Sequence, residues 1–318
     1  MDKIFRQAAK SKIVLNAHRV NSGLGFIKND DEEIEEDTKQ DFFFIKQNST
    51  EKMLQEVISL STGRLEKFGN YDYRGGGRGS GRVTIGHVIG GAVSKKLLQQ
   101  HNITTTAHVT SIHNIHSTKK FTLNTIKENI TKNNVRCADL EVATLMEDEI
   151  LKLKERGDST GGKVEIIIDN VPVGLGQPVF DKIDGDFAKA LMNIGAVKAV
   201  EVGCGIESST LTGHEMNDEY YIEDNKIQTK TNNAGGIVGG MTNGMPIILK
   251  ISVKPTPSVS GIQNTVNLEK RENSTIEIEG RHDPCICPRI TTVAEAVCNM
   301  VLADHMIRAG YIHPDKIN

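Results

Sequence analysis

The sequence predicts a globular fold of mixed α and β structure, because two hydrophobic periodicities alternate along it. Residues 138–156 carry apolar side chains at helical spacing and are followed by Gly157, a residue type that commonly ends helices. Residues 163–169 alternate apolar and polar side chains, as a half-buried strand does. An apolar fraction of 37% in 318 residues is enough to build a hydrophobic core.

Further helices and strands are predicted on both sides of these two segments. A helical run follows Thr84, which is placed to cap it. The pattern from Thr292 to Glu295 is that of a capping box, which predicts that the last helix begins there and ends near Gly310. Helical spacing is found over residues 85–97 and 184–194, and strand-like composition over residues 196–203 and 246–254.

Charge and composition exclude several classes of function. A net charge of −3 argues against general nucleic-acid binding. The sequence shows no continuous run of about 18 apolar residues and no secretory hydrophobic region at its start, so a cytoplasmic location is expected. The five scattered cysteines favour reduced thiols. Cys285 and Cys287 form a pair, but without a second pair no metal site is predicted.

The segment from Tyr71 to Arg82 is the strongest candidate for an anion-binding site. Five glycines and three arginines lie within residues 74–82. Glycine lets backbone N–H groups approach a ligand, and guanidinium groups suit the oxygens of phosphates and carboxylates. Because a helix is predicted directly afterwards, this loop would lie at a helix N-terminus, where anions are stabilised. An ordinary flexible basic loop is the alternative.

Three later loops have related chemistry. Residues 232–244 are rich in glycine and suit a backbone surface against a flat ligand, although an ordinary turn would have the same composition. Lys254-Pro-Thr-Pro-Ser258 follows a predicted strand with one cation and two hydroxyl groups, which could hold a phosphate. Residues 280–285 place a guanidinium, an imidazole and a carboxylate in succession, a combination suited to anion binding and proton transfer.

These segments, taken together and in this order, resemble the signature segments of the chorismate synthase family. The resemblance covers residues 67–318, which divides the chain into a diverged N-terminal segment, residues 1–66, and a family-like domain, residues 67–318. It is carried by Tyr73-Arg-Gly-Gly-Gly-Arg-Gly-Ser-Gly-Arg82, Val171-Pro-Val-Gly-Leu-Gly-Gln-Pro-Val-Phe-Asp-Lys182, Asn232-Asn-Ala-Gly-Gly-Ile-Val-Gly-Gly240, Lys254-Pro-Thr-Pro-Ser258 and Gly280-Arg-His-Asp-Pro-Cys285.

The resemblance implies an α+β fold, a β-α-β sandwich in which helices pack between antiparallel sheets, assembled as a homotetramer. It also implies a reaction in which 5-enolpyruvylshikimate 3-phosphate loses phosphate and a ring proton to give chorismate, the last step of the shikimate pathway. The family requires reduced FMN, although the reaction involves no net redox change. A substrate with two carboxylates and a phosphate needs the anion binding that arginine-rich and glycine-rich loops provide. Neither a nucleic acid nor a membrane is implied as a partner.

The resemblance also implies roles for individual residues. Asp283 corresponds to the carboxylate that assists removal of the ring proton, and a turn cap fixed by Pro284 is the alternative role for it. Arg82 is implied to face the substrate, and Arg281 to touch both substrate and flavin. The implied flavin contacts are Arg78, Gly79, Ser80, Gly195, Ala196, Gly239, Lys254, Pro255, Thr256, Pro257, Ser258 and Arg281.

Residues 1–66 depart from the family pattern. The family's Phe-Gly-Glu-Ser-His-Gly segment is not found there, and Ser59 stands where a second family histidine is expected. In the family these two histidines are the proton donors to the leaving phosphate and to the reduced flavin, and serine cannot supply a proton near pH 7. Two hypotheses follow: an active chorismate synthase, or a relative that binds flavin or anions with impaired or no catalysis.

Overall fold

The computed structural model describes residues 80–267, 270–278, 280 and 282–313. The predictions for residues 1–66, including Ser59, lie outside the described residues, as do those for Arg78, Gly79 and Arg281. The described helices are α1 (Ile85–Gln99), α2 (Leu123–Asn129), α3 (Leu140–Glu155), α4 (Ile183–Met192), α5 (Gly213–Met216) and α6 (Cys287–Arg308). The described strands are β1 (Thr104–Ile112), β2 (Ile115–His116), β3 (Gly162–Asp169), β4 (Val197–Val202), β5 (Tyr220–Glu223), β6 (Lys226–Thr229), β7 (Ile237–Val238), β8 (Met241–Thr242), β9 (Ile247–Val253), β10 (Gln263–Asn267) and β11 (Glu272–Ile276).

A five-stranded antiparallel sheet forms the centre of the described part. Its strand order is β2-β1-β3-β9-β4. Ile166 of β3 lies opposite Ala107 of β1 and Leu249 of β9, and all three side chains are buried. Buried residues alternate with more exposed ones along β3 and β9, because alternate side chains of a strand point into the core. Helices packed on antiparallel sheets give an α+β fold, which confirms the predicted class.

The helices predicted from periodicity are confirmed, with small shifts at their ends. α3 begins after Asp139, whose side chain accepts a hydrogen bond from the Val142 amide, and it is followed by Gly157 at a φ of 68°. α1 begins after Thr84, as predicted. However, the Thr84 hydroxyl makes no capping hydrogen bond to α1 among the described residues. It donates instead to the Gly81 carbonyl at 2.6 Å.

The predicted capping box at Thr292 is wrong, because α6 begins earlier, at Cys287. Pro288 lies in the first turn, where the N–H that proline lacks would have no helical partner. Glu295 accepts a hydrogen bond from the Ala107 amide at 2.9 Å instead of capping the helix. Its carboxylate thereby satisfies a main-chain donor of β1 that does not pair with β3.

α1 and α6 pack closely together at their middle. A Cβ atom on Gly91 of α1 would lie 2.3 Å from the Cβ of Ala296 in α6, so the absence of a side chain at Gly91 permits the contact. β1 runs antiparallel to α6, since Thr105 bonds to Asn299 and Ala107, further along β1, bonds to a residue earlier in α6. Because α1 ends just before β1 begins, α1 and α6 run in the same direction.

Among the described residues, α6 is the one helix whose length and composition would allow it to cross a membrane. Its most apolar 18-residue window has a mean hydropathy of 1.2, and 67% of that window is buried inside the protein, as in a core helix. The helix itself is continuous, but polar residues such as Asn299 and His305 interrupt its apolar sequence. For this reason the sequence shows no continuous apolar run.

Candidate functional site

The N-termini of α1 and α6 lie at the same end of the central sheet. Arg82 precedes Gly91 by nine residues, and Cys287 precedes Ala296 by nine residues. Because α1 and α6 run in the same direction, both residues lie roughly 14 Å from the contact between Gly91 and Ala296, on the same side of it. β3 begins and β9 ends at this end of the sheet, because Gly162 pairs with Val253. Helix N-termini carry partial positive charge, so this end of the fold favours anions.

Three loops at this end are joined by hydrogen bonds. The Ser159 hydroxyl donates to the Thr256 carbonyl at 2.7 Å, and the Thr256 hydroxyl donates to the Asp283 carbonyl at 2.9 Å. The Thr160 amide donates to the Pro284 carbonyl at 2.7 Å. The turn before β3, the segment after β9 and the segment before α6 therefore form one connected wall, and Asp283 is fixed within it through its backbone.

Ala196 lies directly beside Lys254. The Lys254 amide donates to the Ala196 carbonyl at 2.9 Å, which extends the pairing of β4 with β9 by one hydrogen bond. Ala196 has a φ of 74°, which is uncommon for a residue with a side chain and marks a sharp turn between α4 and β4. The structure thus brings Gly195 and Ala196 together with the Lys254–Ser258 segment.

The Asp283 carboxylate pairs with the guanidinium of Arg289, with 2.5 Å between Oδ2 and Nη1. The two side chains are 44% and 69% exposed, so a ligand can approach both. Arg289 lies in the first turn of α6 and holds the carboxylate in one orientation. An oriented, accessible carboxylate can accept a proton, and the adjacent guanidinium can stabilise an anion.

Ser80 and Arg82 form the turn that precedes α1. The Ser80 hydroxyl accepts a hydrogen bond from the Arg82 amide at 3.3 Å, at the start of the 3₁₀ helix Gly81–Thr84. The Arg82 side chain is exposed. Together with Lys254 and Arg289, it gives this end of the sheet three cations, which is the electrostatic character that the sequence predicts for an anion site.

The thiols of Cys285 and Cys287 interact at the turn that leads into α6. A hydrogen bond with Cys287 lowers the pKa of the Cys285 thiol, although burial opposes the shift. The same hydrogen bond, together with burial, raises the pKa of the Cys287 thiol. In the described ranges these thiols belong to no cluster of three or more potential metal ligands.

Gly239 lies at the opposite end of the sheet. The carbonyl of its neighbour Gly240 accepts a hydrogen bond from the Ile183 amide at 3.1 Å, at the start of α4, whereas Gly195 follows the end of α4. The ten residues of α4 span about 15 Å. The structure therefore joins Gly195 and Ala196 to the Lys254–Ser258 segment, and that segment to Asp283, through hydrogen bonds. Ser80 and Arg82 lie at the same end of the sheet, whereas Gly239 lies at the other end.

Ser159 and Arg289 belong to this site, although no sequence motif predicted a role for either residue. Arg289 follows Asp283 by six residues, and a basic residue in the first helical turn after an acidic loop is a signal that could have identified it. Ser159 has no comparable signal, because its partner is the main-chain carbonyl of Thr256, 97 residues away in sequence.

Comparison with known proteins identifies one family. The family model described as chorismate synthase matches residues 60–307. A chorismate synthase of Methanobrevibacter smithii is 59% identical over 257 residues, which cover 80% of this chain and 70% of that protein. A chorismate synthase of Methanothermobacter thermautotrophicus is 56% identical over 252 residues, which cover 79% of this chain and 67% of that protein.

A solved structure agrees with these relatives. It is described as a crystal structure of chorismate synthase and superimposes with a TM-score of 0.63 at 28% sequence identity. The match covers 80% of this chain and 70% of that chain. Sequence and fold therefore point to the same family.

Proposed function

The chain belongs to the chorismate synthase family, and we propose that it converts 5-enolpyruvylshikimate 3-phosphate into chorismate and phosphate by 1,4-elimination with reduced FMN. The observation that carries this proposal is the convergence of Arg82, the Lys254–Ser258 segment and Asp283 at one end of the sheet. Cations and helix N-termini there can hold anions beside a carboxylate that can accept a proton. The same family membership supports the proposal of a cytoplasmic homotetramer.

The Lys254–Ser258 segment has the donors to hold the phosphate of FMN. The Lys254 ammonium lies at the surface of the segment, 3.1 Å from the Pro255 carbonyl, and Ser258 adds a hydroxyl group. A flexible ammonium and a hydroxyl on a backbone stiffened by two prolines suit a phosphate ester. Ala196 would contact the same ligand through the backbone of its turn. When bound, reduced FMN supplies electron density transiently to the reacting substrate.

The elimination breaks two bonds of the substrate. The bond between carbon and the phosphate oxygen breaks with its electron pair leaving on phosphate. The electrons of the C6–H bond form a new double bond at C6, and the double bond already in the ring shifts to the carbon that loses phosphate. Arg82 and Arg289 would hold the anionic groups of the substrate. Asp283 would assist removal of the C6 proton, and its pairing with Arg289 would hold the carboxylate in one orientation before the reaction.

The test is anaerobic mixing of the purified chain with reduced FMN and 5-enolpyruvylshikimate 3-phosphate, followed by assays of phosphate and chorismate. We expect both products from the wild type, and a loss of turnover of about 10²–10⁴-fold in Asp283→Asn with unchanged flavin affinity. Asp224→Asn is the matched control, since Asp224 is exposed in the β5–β6 turn. Wild-type turnover in Asp283→Asn would reject the role of Asp283.

A second candidate function is flavin or anion binding with impaired or no catalysis. The observation that favours it is Ser59, which stands where a family histidine is expected. A wild-type chain that binds reduced FMN but releases no phosphate would support this candidate. A gain of turnover on restoring the family's N-terminal segment together with Ser59→His would identify the missing proton donors as the cause, and no gain would favour a noncatalytic role.

A further inference from the structure

His282 directly precedes Asp283, and a main-chain hydrogen bond fixes its imidazole ring. The Nε2 atom lies 3.2 Å from the carbonyl oxygen of Ile278. A carbonyl oxygen can only accept a hydrogen bond, so Nε2 carries a hydrogen and donates it. The neutral ring therefore has its lone pair on Nδ1, and the protonated ring carries its second hydrogen on that atom.

Gly280 provides the space in which this ring lies. Its φ is 147°, a conformation that residues with side chains rarely adopt. A Cβ atom on Gly280 would lie 3.3 Å from Cε1 and 3.6 Å from Nε2 of His282, whereas Nδ1 lies beyond 4 Å of that position. The edge of the ring that contains Cε1 and Nε2 therefore rests on the Gly280 backbone, and Nδ1 lies farther from it.

The Nδ1 atom of His282 is open to a ligand. In the described part of the chain it makes no hydrogen bond, and it is not one of the buried side-chain nitrogens that lack a partner. An atom that is neither paired nor buried is accessible from the solvent. One nitrogen of this ring thus fixes the tautomer and the other is free to exchange a proton, which is how histidine acts as an acid or a base.

The wall of the candidate site places this ring beside anion-binding groups. The Thr256 hydroxyl donates to the Asp283 carbonyl, and the Asp283 carboxylate pairs with Arg289. The Cα atoms of His282 and Asp283 are about 3.8 Å apart, as in any pair of consecutive residues with a trans peptide bond. A protonated His282 would therefore add a charged donor next to the guanidinium of Arg289.

His113 and His87 also lie toward this end of the sheet, but their rings are arranged differently. His113 directly follows β1, whose last residue pairs with the first residue of β3. Its Nδ1 atom is 2.8 Å from the Glu149 carboxylate. On α1, His87 lies one turn before Gly91, and its Nδ1 atom is buried without a described partner. His282 differs from both in having its Nδ1 atom open and its other nitrogen held by the main chain.

The leaving group of the proposed elimination needs a proton. A phosphate monoester carries close to two negative charges near pH 7, so without a proton it would leave as the strongly basic trianion. The ionised Asp283 carboxylate can accept the proton from C6 but has none to give to phosphate. An imidazolium group, whose ordinary pKa is about 6.5, can donate a proton near neutral pH.

We propose that His282 donates the proton to the leaving phosphate, from Nδ1, and this role rests on the function proposed above. The bond between carbon and oxygen breaks with its electron pair on the phosphate oxygen. The Nδ1 proton joins that oxygen, so hydrogen phosphate leaves with two negative charges. Asp283 takes the C6 proton in the same reaction, so one proton is given and one is accepted. Asp283 then loses its proton to the solvent and His282 takes one up, which restores both side chains.

The first test uses His282→Gln, which removes the acid but keeps a donor. The side-chain amide of glutamine can donate to the Ile278 carbonyl as histidine Nε2 does, but it has no acidic proton to transfer. We expect phosphate release to slow by about 10²-fold or more, with unchanged affinity for reduced FMN. His113→Gln is the matched control, since this histidine lies at the same end of the sheet, is 47% exposed and pairs with Glu149. It should keep wild-type turnover.

The results of this test separate the role of His282 from the proposed function. Wild-type turnover in His282→Gln overturns the role of His282 and leaves the function standing. Loss of flavin affinity together with turnover in His282→Gln also overturns it, because the ring would then maintain the structure of the site. A wild type that binds reduced FMN but releases no phosphate contradicts the proposed function and, with it, any donor to phosphate.

The second test measures binding without turnover. Inorganic phosphate is titrated by calorimetry into the wild type and His282→Gln, both saturated with reduced FMN, so that the flavin phosphate fills its own site. At pH 6 an ordinary imidazole is mostly protonated, and a charged donor at Nδ1 should strengthen phosphate binding. We expect the affinity for phosphate to be about tenfold lower in His282→Gln and unchanged in His113→Gln. Equal affinities in the wild type and His282→Gln would overturn the contact between Nδ1 and phosphate.

Discussion

The hydroxyl of Thr256 donates a hydrogen bond to the main-chain carbonyl of Asp283 at 2.9 Å. This bond joins the segment after β9 to the segment before α6, although 27 residues separate them in sequence. The Thr256 carbonyl in turn accepts a hydrogen bond from Ser159. Thr256 therefore positions Asp283 through the backbone and leaves the carboxylate to pair with Arg289.

Thr256→Val should loosen the Asp283 segment, because valine has the shape of threonine but no hydroxyl donor. We expect the free energy of unfolding to fall by about 0.5–1.5 kcal/mol and phosphate release to slow. Thr256→Ser keeps the donor and should retain wild-type turnover. Urea unfolding and the phosphate assay measure the two effects, and equal turnover in the valine and serine variants would exclude positioning by this hydrogen bond.

The contact between α1 and α6 gives a prediction with a control in the same helix. Gly91→Ala would place a Cβ 2.3 Å from the Cβ of Ala296, so the helices must separate, at a cost of about 1–3 kcal/mol in the free energy of unfolding. Gly86 also lies in α1 but has no described atom within 4 Å of its Cβ position. Gly86→Ala should therefore stabilise the protein by about 0.5–1 kcal/mol through helix propensity. Denaturant unfolding of both variants should show opposite signs, and shifts of the same sign would contradict the close contact.

The sequence predicts the core helices and strands well, because their periodicity is a local property. The predicted strand 163–169 corresponds to β3, which begins only one residue earlier. The capping box fails because Thr292 and Glu295 have the right spacing but Glu295 bonds to Ala107, and spacing within a segment cannot reveal a partner on another strand. Pro288 marks the true first turn and was the competing local signal.

The arrangement of the site could be predicted only in part. The glycine-rich residues 232–244 and the Lys254–Ser258 segment both look like ligand-binding loops, and the family resemblance assigns both to one flavin. Their composition does not show that β9 lies between them and carries them to opposite ends of the sheet. The direction of each strand decides which loops meet, and that depends on long-range pairing rather than on residue type.

Glu295 predicts a pH effect on stability. Burial raises the pKa of Glu295, although the Ala107 amide and the charge of Arg136 oppose the shift. The folded-state pKa of Glu295 therefore lies above the unfolded-state value of about 4.3. As the pH rises from the unfolded-state pKa through the folded-state pKa, ionisation of Glu295 lowers the stability of the folded protein. Glu295→Gln keeps an acceptor for the Ala107 amide without the charge, so its stability relative to the wild type should be greater at pH 7 than at pH 4.

A second substitution separates this charge effect from the hydrogen bond. Glu295→Leu removes the acceptor and leaves the Ala107 amide buried without its partner, which should cost about 1–3 kcal/mol at either pH. Unfolding in urea at the two pH values measures both variants. A stability difference between Glu295→Gln and the wild type that does not change with pH would contradict the raised pKa.

Glu165 predicts the opposite pH dependence. Burial would raise the pKa of Glu165, but a hydrogen bond of 3.1 Å with His108 and the charge of Lys250 hold it below its usual value. The stability that this carboxylate contributes is therefore fully present above the unfolded-state pKa of about 4.3 and is lost as the pH falls through the lower folded-state pKa. Acid should weaken the wild type more than a variant without this carboxylate.

Glu165→Gln tests this expectation against Glu223→Gln, which changes an exposed residue of β5. At pH 7, Glu165→Gln should lower the free energy of unfolding by about 1.5–3 kcal/mol, because a hydrogen bond to a charged group is lost in a largely buried site. Below pH 4 this difference should shrink as the wild-type carboxylate becomes protonated. Glu223→Gln should stay within about 0.5 kcal/mol of the wild type throughout. Urea unfolding between pH 3 and pH 7 measures these curves, and a deficit in Glu165→Gln that persists undiminished in acid would rule out the contribution of the ionised Glu165 carboxylate.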